Sequence, residues 1–313
     1  VLIYALRRLL SVIPVMAVVA VVVFLLVRLA PGDPAVVIAG ENATDADVEQ
    51  VRFALGLDRP LWEQFFVWIG AVLQGDLGQS VFSREPVAQL MLERAEPTVA
   101  LAVTTLLTAA SIAVLFGVAA AASVGSSIDR GLMAFAALSF SMPAFVVGYL
   151  LIFVFAIWLR WLPVQGYVPI EEGIGAWLPH IVLPTLTLSL AYIALIARIT
   201  RAAMLEVLSE DYIRTADAKG VAPSRRLLRH ALKNAAVPIV TIVGIGFALL
   251  ISGVVITETV FNLPGIGRLV VDAIGRRDYP IIQGAVLTFS AIYVLVNLLV
   301  DLSYALFDPR IRY

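Results

Sequence analysis

The sequence predicts an all-α, polytopic membrane protein with six transmembrane helices, and three observations carry that prediction. Of 313 residues, 61% are hydrophobic and only 14% are charged, where a soluble domain carries about 25% charged residues. Six stretches longer than 18 residues hold no Asp, Glu, Lys or Arg: 9–27, 97–128, 131–159, 173–197, 234–257 and 279–300. Every other charge-free run has 12 residues or fewer, and a bilayer core of roughly 30 Å needs about 20 residues of apolar helix. Runs of that length also exclude a transmembrane barrel, whose strands would hold about 10 residues of alternating character.

The first stretch follows Arg7-Arg8 and has the look of a signal peptide. It is 19 residues long, however, and leads into Pro31-Gly32-Asp33-Pro34 rather than a small-residue cleavage site, so it reads as a retained first helix. Residues 31–96 then form an acidic segment with eleven Asp/Glu against four Arg. Apolar side chains recur at helical spacing over 46–56 and 60–73, with Thr44 or Asp45 able to cap the first run and Pro60 placed early in the second. Two readings stay open for this segment. Trp62 and Trp68 form an aromatic anchor in the bilayer interface, or the two helices cap the mouth of a pore.

Proline punctuates the next spans. Pro143 follows Ser139-Phe140-Ser141-Met142 in the third stretch, and Pro184 precedes Thr185 and Thr187 in the fourth. A proline frees a carbonyl and kinks a membrane helix, which is tolerated where neighbours or water satisfy the backbone. These are either packing kinks or the lining of a cavity that changes shape. On the second reading the pathway passes Ser141, Met142, Thr185, Thr187, Tyr192, Ser252 and Asn297. Between the last two spans, residues 258–281 hold a Pro264-Gly265-Ile266-Gly267 turn and an amphipathic run through Leu269, Val270 and Ile274.

Six spans put both termini on one side. The tail before the first span, the 123–131 turn, the 198–233 loop and the tail after 306 carry 13 Lys/Arg, against 8 in 31–96, 158–180 and 258–281. The positive-inside rule makes both termini cytoplasmic. The expected organisation is therefore 1–30 as cytoplasmic tail and first helix, 31–96 as an external amphipathic segment, and 97–313 as a five-helix core with a cytoplasmic loop at 201–233.

Several chemistries are excluded. There is no cysteine, and the two histidines, His180 and His230, lie far apart, so no thiolate metal site, disulfide framework or His-rich metal tract exists. A net charge of −1 gives no basic character suited to nucleic acid. The two lysines precede Gly220 and Asn234, and neither has the P-loop context that grips phosphates and magnesium. An intramembrane enzyme would have to draw on His180 and the serines of the fourth span, the sole nucleophile and base within reach. An ion-coupled secondary transporter is the other rival. It wants ionisable groups at mid-membrane, whereas Arg28, Arg198, Glu258 and Asp301 all fall near span ends, where they can snorkel or face water.

The 201–233 loop carries the most specific signal. Residues 203–218 read as one amphipathic helix, with Leu205, Leu208, Tyr212 and Ala216 at spacings of three and four. Lys219-Gly220 stops it, glycine being suited to the left-handed residue beyond a helix end. A second short helix begins at Pro223 and runs through Arg225-Arg226-Leu227-Leu228-Arg229-His230-Ala231-Leu232. Two short helices joined at a fixed angle, apolar on one face and basic on another, make a docking element.

The run from Asp211 to Gly220, followed by His230-Ala231-Leu232-Lys233-Asn234-Ala235 and Pro238, resembles the cytoplasmic "EAA" loop of binding-protein-dependent ABC importer permeases, in the form used by the dipeptide/oligopeptide branch. The resemblance extends over nearly the whole chain, through Leu29–Pro34, Leu55–Pro60, Gly75–Gly78, Ser141–Phe145, Thr257–Asn262 with Pro264–Gly267, and Asp308–Tyr313. The pattern looks like the first-named permease subunit of such transporters. Arg214-Thr215-Ala216 stands in the Glu-Ala-Ala place, and Lys233 where many permeases have proline, both usual in the peptide branch. Asp217 replaces a commonly basic residue.

The resemblance implies the type I permease fold and a transport subunit rather than an enzyme, in a bacterial or archaeal cytoplasmic membrane. Its coupling residues would be Tyr212, Arg214, Thr215, Ala216, Lys219, Gly220, Arg225 and Arg226. The implied partners are membrane lipid, a second homologous permease, two ATPase subunits and an extracytoplasmic solute-binding protein, with no nucleic acid. No cofactor or metal belongs to this chain, since ATP and Mg sit on the ATPases. The implied cargo is a dipeptide, oligopeptide or similar small solute. Glutathione, nickel chelates, δ-aminolaevulinate-like compounds and sugar oligomers are alternatives within the branch.

Overall fold

Burial of six apolar runs against one another dictates helices, because only a helix satisfies its own backbone without water. The computed structural model describes residues 2–29, 34–39, 43–54 and 56–307. Parts of the Leu29–Pro34 and Leu55–Pro60 motifs, Glu41, the Asp308–Tyr313 tail and the Ser252 side chain lie outside what is described. The elements in chain order are α1 (Leu2–Leu29), α2 (Pro34–Ala39), α3 (Asp45–Ala54), α4 (Leu61–Leu73), α5 (Val87–Glu93), α6 (Ala95–Ala122), α7 (Ser127–Ser141) and α8 (Ala144–Leu151). There follow α9 (Ile174–Leu208), α10 (Asp211–Ala218), α11 (Pro223–Arg225), α12 (Leu232–Asn234), α13 (Ala236–Val260), α14 (Ile266–Arg276) and α15 (Tyr279–Phe307). A π-helical segment, Ile152–Trp158, continues α8, and another, Arg226–Ala231, joins α11 to α12.

Among the described residues, four helices are individually long and apolar enough to cross a membrane, and the number is up to six if each of two bent pairs, Ser127–Ser141 with Ala144–Trp158 and Pro223–Asn234 with Ala236–Phe247, is one span. Pro143 ends α7 altogether: the chain turns by 104° between Ser127–Ser141 and Ala144–Trp158, so the expected kink in the third span is a full elbow. Proline removes the amide that would continue α7, and it starts α8 with φ −59° and ψ 137°. Pro184 behaves differently, since α9 runs unbroken for 35 residues through both Pro179 and Pro184.

The chain divides into two units, one comprising Val1–Leu6, Glu96–Gly267 and Leu295–Tyr313, the other Arg7–Ala95 and Arg268–Val294. In the second, α4 lays Phe65, Trp68, Ile69 and Val72 on Ala20 and Val23 of α1, with the Phe24 and Phe65 rings edge to face at 5.3 Å. Arg28 donates to Gln64 Oε1 through Nε at 3.1 Å and Nη2 at 2.9 Å, and Gln64 Nε2 donates to the carbonyls of Leu57 and Arg59. Trp68 is therefore partly buried against this cluster, while Trp62 stays exposed. The start of α3 is a reciprocal cap: Asp47 N donates to Thr44 Oγ1 and Thr44 N to Asp47 Oδ2 at 2.9 Å. The Thr44 hydroxyl and amide hold the Asp47 carboxyl below the usual carboxylate range. Further along, Asp278, 2% exposed, accepts from the Ser80 hydroxyl and the Val81 amide, which pins the 78–86 turn to the start of α15.

In the first unit, α6 buries Leu101, Thr105, Ala109, Ala113, Gly117 and Ala121. The spacing of four winds these mostly small residues into a stripe along the helix, and small residues in such a stripe let membrane helices approach closely. A Cβ on Gly117 would lie 2.5 Å from Thr200 Cβ of α9, so the two backbones meet there. Gly253 of α13 leaves the room that Leu188 of α9 occupies, since a Cβ there would lie 2.5 Å from Leu188 Cδ1. The buried core of this unit gathers Ile181, Leu188, Ile196, Leu250, Phe261 and Leu263 around these contacts.

Candidate functional site

Sequence spacing makes 203–218 one helix; the structure makes it two. α9 ends at Leu208, Ser209 and Glu210 break the helix, and α10 starts at Asp211. The buried contact consequently falls on Ile213 rather than Tyr212: Ile213 packs with Ala203 and Met204 of α9 and with Ala231, Ala235 and Ile239. The break resets the helical phase, which a count of spacings across it cannot anticipate.

The end of α10 follows the expectation closely. Gly220 has φ +74°, its N–H donates to Asp217 O at 2.9 Å, and Val221 N donates to Ala216 O at 3.1 Å. That is the paired bonding of a Schellman turn, which a glycine in the left-handed region closes without strain. A Cβ at Gly220 would have open space, so the constraint is on the backbone and not on packing. Pro223 then starts the second helical piece at its first position, as expected.

Two side-chain links close the element. Asp217 pairs with Arg226 across the turn, and Asn234 Nδ2 donates to Tyr212 Oη and to His230 O, both at 2.8 Å. Neither is legible from spacing, because the Asp217–Arg226 and Tyr212–Asn234 links join residues on either side of the turn. The unusual acid at 217 thus has a local partner. Among the other coupling candidates, Arg214 lies 3.5 Å from Asp211 and Thr215 Oγ1 donates to Asp211 O. Ala216 is half-buried, whereas Lys219, Gly220 and Arg225 are exposed. Exposed on the element are Tyr212 and Leu228, the cationic Arg214, Lys219, Arg225 and Arg229, and the acidic Asp211 and Asp217.

The pathway candidates separate by position. Ser141 and Met142 are exposed at the elbow, and Ser141 Oγ donates to Leu138 O. Thr185, Thr187 and Tyr192 are buried: Thr185 Oγ1 lies 2.8 Å from Thr104 Oγ1, and Thr187 Oγ1 donates to Leu183 O. Asn297 is half-buried.

A charged residue overturns one sequence reading. Glu258, expected at a span end facing water, has 0% exposure. Thr98 Oγ1 donates to Glu258 Oε1 at 2.6 Å and itself accepts from Ile266 N at 2.8 Å. The backbone of Gly265 passes directly over the carboxyl, and a Cβ on Gly267 would lie 3.0 Å from Oε2 and 2.8 Å from Val255 Cα. Glycines at 265 and 267 are thus what the Glu258 side chain requires. On the same side, Tyr167 donates to Glu96 Oε1 at 3.1 Å and accepts from Trp177 Nε1. Burial, reinforced by the Glu96 carboxyl, pushes the Tyr167 phenol up to about 12. His180 Nδ1 sits 3.0 Å from Ala176 O of its own helix, and Ser189 Oγ donates to Thr105 O at 3.4 Å.

Comparison with known proteins gives concordant matches. Residues 113–313 match the model of the binding-protein-dependent transport system inner membrane component, and residues 1–102 match that of its N-terminal part. The chain is 59% identical over 311 residues, 99% of each chain, to a probable peptide ABC transporter permease protein, y4tP, of Sinorhizobium fredii. It is 46% identical over 310 residues, again 99% of each, to the glutathione transport system permease protein GsiC of Escherichia coli K12. The crystal structure of an amino acid ABC transporter with histidines aligns at 18% identity and a TM-score of 0.46 over 71% of this chain and 94% of that one.

Proposed function

Because the chain belongs to the binding-protein-dependent transport system inner membrane component family, we propose that it forms half of the translocation pathway of an ATP-driven importer for dipeptides, oligopeptides or similar small solutes. The remaining half would be a second homologous permease, and two separate ATPase subunits would bind ATP and Mg. An extracytoplasmic binding protein would deliver the cargo. Both termini and the 211–234 element face the cytoplasm on this reading, supported by the excess of Lys/Arg on that side.

The observation that carries the proposal is the two-piece element from Asp211 to Asn234. Its turn at Gly220, its Asp217–Arg226 pair and its Tyr212–Asn234 bond make it rigid, and it presents exposed apolar, cationic and acidic side chains. A rigid projection seated in a cleft of an ATPase passes the closing motion of that ATPase to the membrane helices. A positive-inside anchor alone would need none of these links. The coupling surface is Tyr212, Arg214, Thr215, Ala216, Lys219, Gly220, Arg225 and Arg226. The solute pathway passes Ser141, Met142, Thr185, Thr187, Tyr192, Ser252 and Asn297, with Thr185, Thr187 and Tyr192 reached only when the helices part.

Glutathione is a second reading of the cargo, favoured by the name of the 46% identical relative and by its chemistry as a tripeptide. The test is to copurify the binding protein encoded beside this chain, identify its ligand by mass spectrometry, and measure uptake of that ligand with the reconstituted transporter. A ligand that is not peptide-like removes the cargo assignment. Nucleotide binding by the isolated chain removes the division of labour.

A further inference from the structure

Upstream of the docking element, Arg201 of α9 reaches across to Asp129 at the start of α7. Its Nε donates to Oδ1 at 2.6 Å and its Nη2 to Oδ2 at 2.7 Å, a two-pronged fork that fixes orientation as well as distance. The Asp129 side chain is only 5% exposed. The same carboxyl accepts from Gly125 N at 2.9 Å, and the Asp129 N–H donates to Ser126 Oγ at 3.2 Å. Asp129 therefore holds together the α6–α7 turn, the first turn of α7, and α9.

Two further contacts flank the fork. Gly117 of α6 meets Thr200, the neighbour of Arg201. The Arg198 guanidinium lies 5.5 Å from the ring centroid of Phe140, within the range of a cation–π contact and immediately before the Met142–Pro143 elbow. On its other side α9 continues to Met204, fully buried against the cluster that holds Ile213 of the docking element. Small-residue packing between helices gives close approach without a directional bond. The Arg201–Asp129 fork adds a charged, two-bond directional link between α9 and α7.

We propose that Asp129 and Arg201 form a transmission joint. Displacement of the docking element travels along α9 and passes through this fork to α7, and from there to the 104° elbow that joins α7 to α8. Both residues are positioning residues, acting through the helices they join. The inference rests on the reading of 211–234 as the element that meets the ATPases.

The experiment uses the assembled transporter, this chain with its partner permease and both ATPases, in proteoliposomes, and reads solute uptake per ATP hydrolysed. Arg201→Met and Asp129→Asn should each lower that ratio at least tenfold, and the exchange Asp129→Arg with Arg201→Asp should recover part of it. Because the chain has no cysteine, Asp129→Cys with Arg201→Cys can be reconnected by a short bifunctional methanethiosulfonate. Linking should bring the ratio back to within about twofold of the unmodified transporter. A wild-type ratio in the single variants overturns the joint. Should those variants fail to assemble, the cysteine pair decides, and equal ratios with and without the linker overturn it equally. If Gly220→Val leaves the ratio unchanged as well, the docking reading itself has failed. If Gly220→Val uncouples while the Asp129 and Arg201 variants do not, the joint alone has failed.

Discussion

Thr98 Oγ1 lies 2.6 Å from Oε1 of Glu258, a carboxyl with no exposed surface. The hydroxyl donates its proton to Glu258 and accepts one from the Ile266 amide, so one threonine near the start of α6 fastens both the end of α13 and the turn that follows it. Thr98→Val removes that partner while keeping the shape. It should cost about 1–3 kcal/mol, the penalty of leaving the buried Ile266 amide without the acceptor that Thr98 supplies. Thermal unfolding in detergent–lipid micelles measures this. Gly265→Ala should be worse than Thr98→Val, since the added carbon overlaps the carboxyl. A Thr98→Val variant as stable as the parent would show that the Thr98 hydroxyl does not hold this turn.

Gly220 makes a prediction that separates backbone strain from packing. With φ at +74° and open space where a Cβ would sit, Gly220→Ala should cost about 1–2 kcal/mol in the turn. Gly220→Asn should be the mildest replacement, because Asn tolerates the left-handed region. Gly220→Val should be the most severe. Uptake per ATP hydrolysed should fall in the order Asn, Ala, Val. The reverse order, or no effect, would mean that the turn geometry does not matter to coupling.

The Asp217–Arg226 pair is partly exposed, with 66% of the Asp217 side chain accessible, so its contribution to stability should stay below about 1 kcal/mol. Its effect on coupling should be larger than its effect on stability. Asp217→Lys should weaken coupling, and the exchange with Arg226→Glu should restore it. A melting temperature that moves while coupling does not would assign the pair to stability alone.

Cysteine substitution can map the pathway. Cysteines at Ser141 and Met142, exposed at the elbow, should react with a small polar thiol reagent in the resting transporter. Those at Thr185, Thr187 and Tyr192, buried between helices, should react only during turnover with ATP and cargo. Uniform inertness in both states would place all five in lipid or permanent core.

The acidic segment should take part in docking the binding protein through screened, long-range attraction. Asp45→Asn with Glu49→Gln should reduce binding-protein-stimulated ATPase activity most at low salt. Asp47 is left unchanged in this test because it caps α3. Its pKa is lowered in the fold, so the cap is intact above the ordinary Asp range and is lost as pH falls through the depressed value. Asp47→Asn at neutral pH should lose the charge-dependent part of this cap, as the parent does at acid pH, measured by amide hydrogen exchange in the first turn of α3. Stimulation and salt dependence both unchanged in the double variant would return the segment to the bilayer interface.

Composition and charge spacing determined the number and order of spans in this protein, because the hydrocarbon core admits only runs of a certain length without charge. The docking turn was also legible, since Gly220 and Pro223 carry their backbone preferences as residue types. What tertiary structure alone decided follows from contacts between distant residues. Glu258 stands at the end of a charge-free run and would face water if its helix were alone. It is buried because Thr98 and the glycine turn at 265–267 close over it. The phase change between Leu208 and Asp211 put Ile213 rather than Tyr212 in the core, because packing against Met204 and Ala231 selects the buried side. Asp129 and Arg201, 72 positions apart, are in sequence two separate charges near the membrane surface. Only the close approach of α6, α7 and α9 makes them one pair, and close approach depends on which small residues face each other in three dimensions.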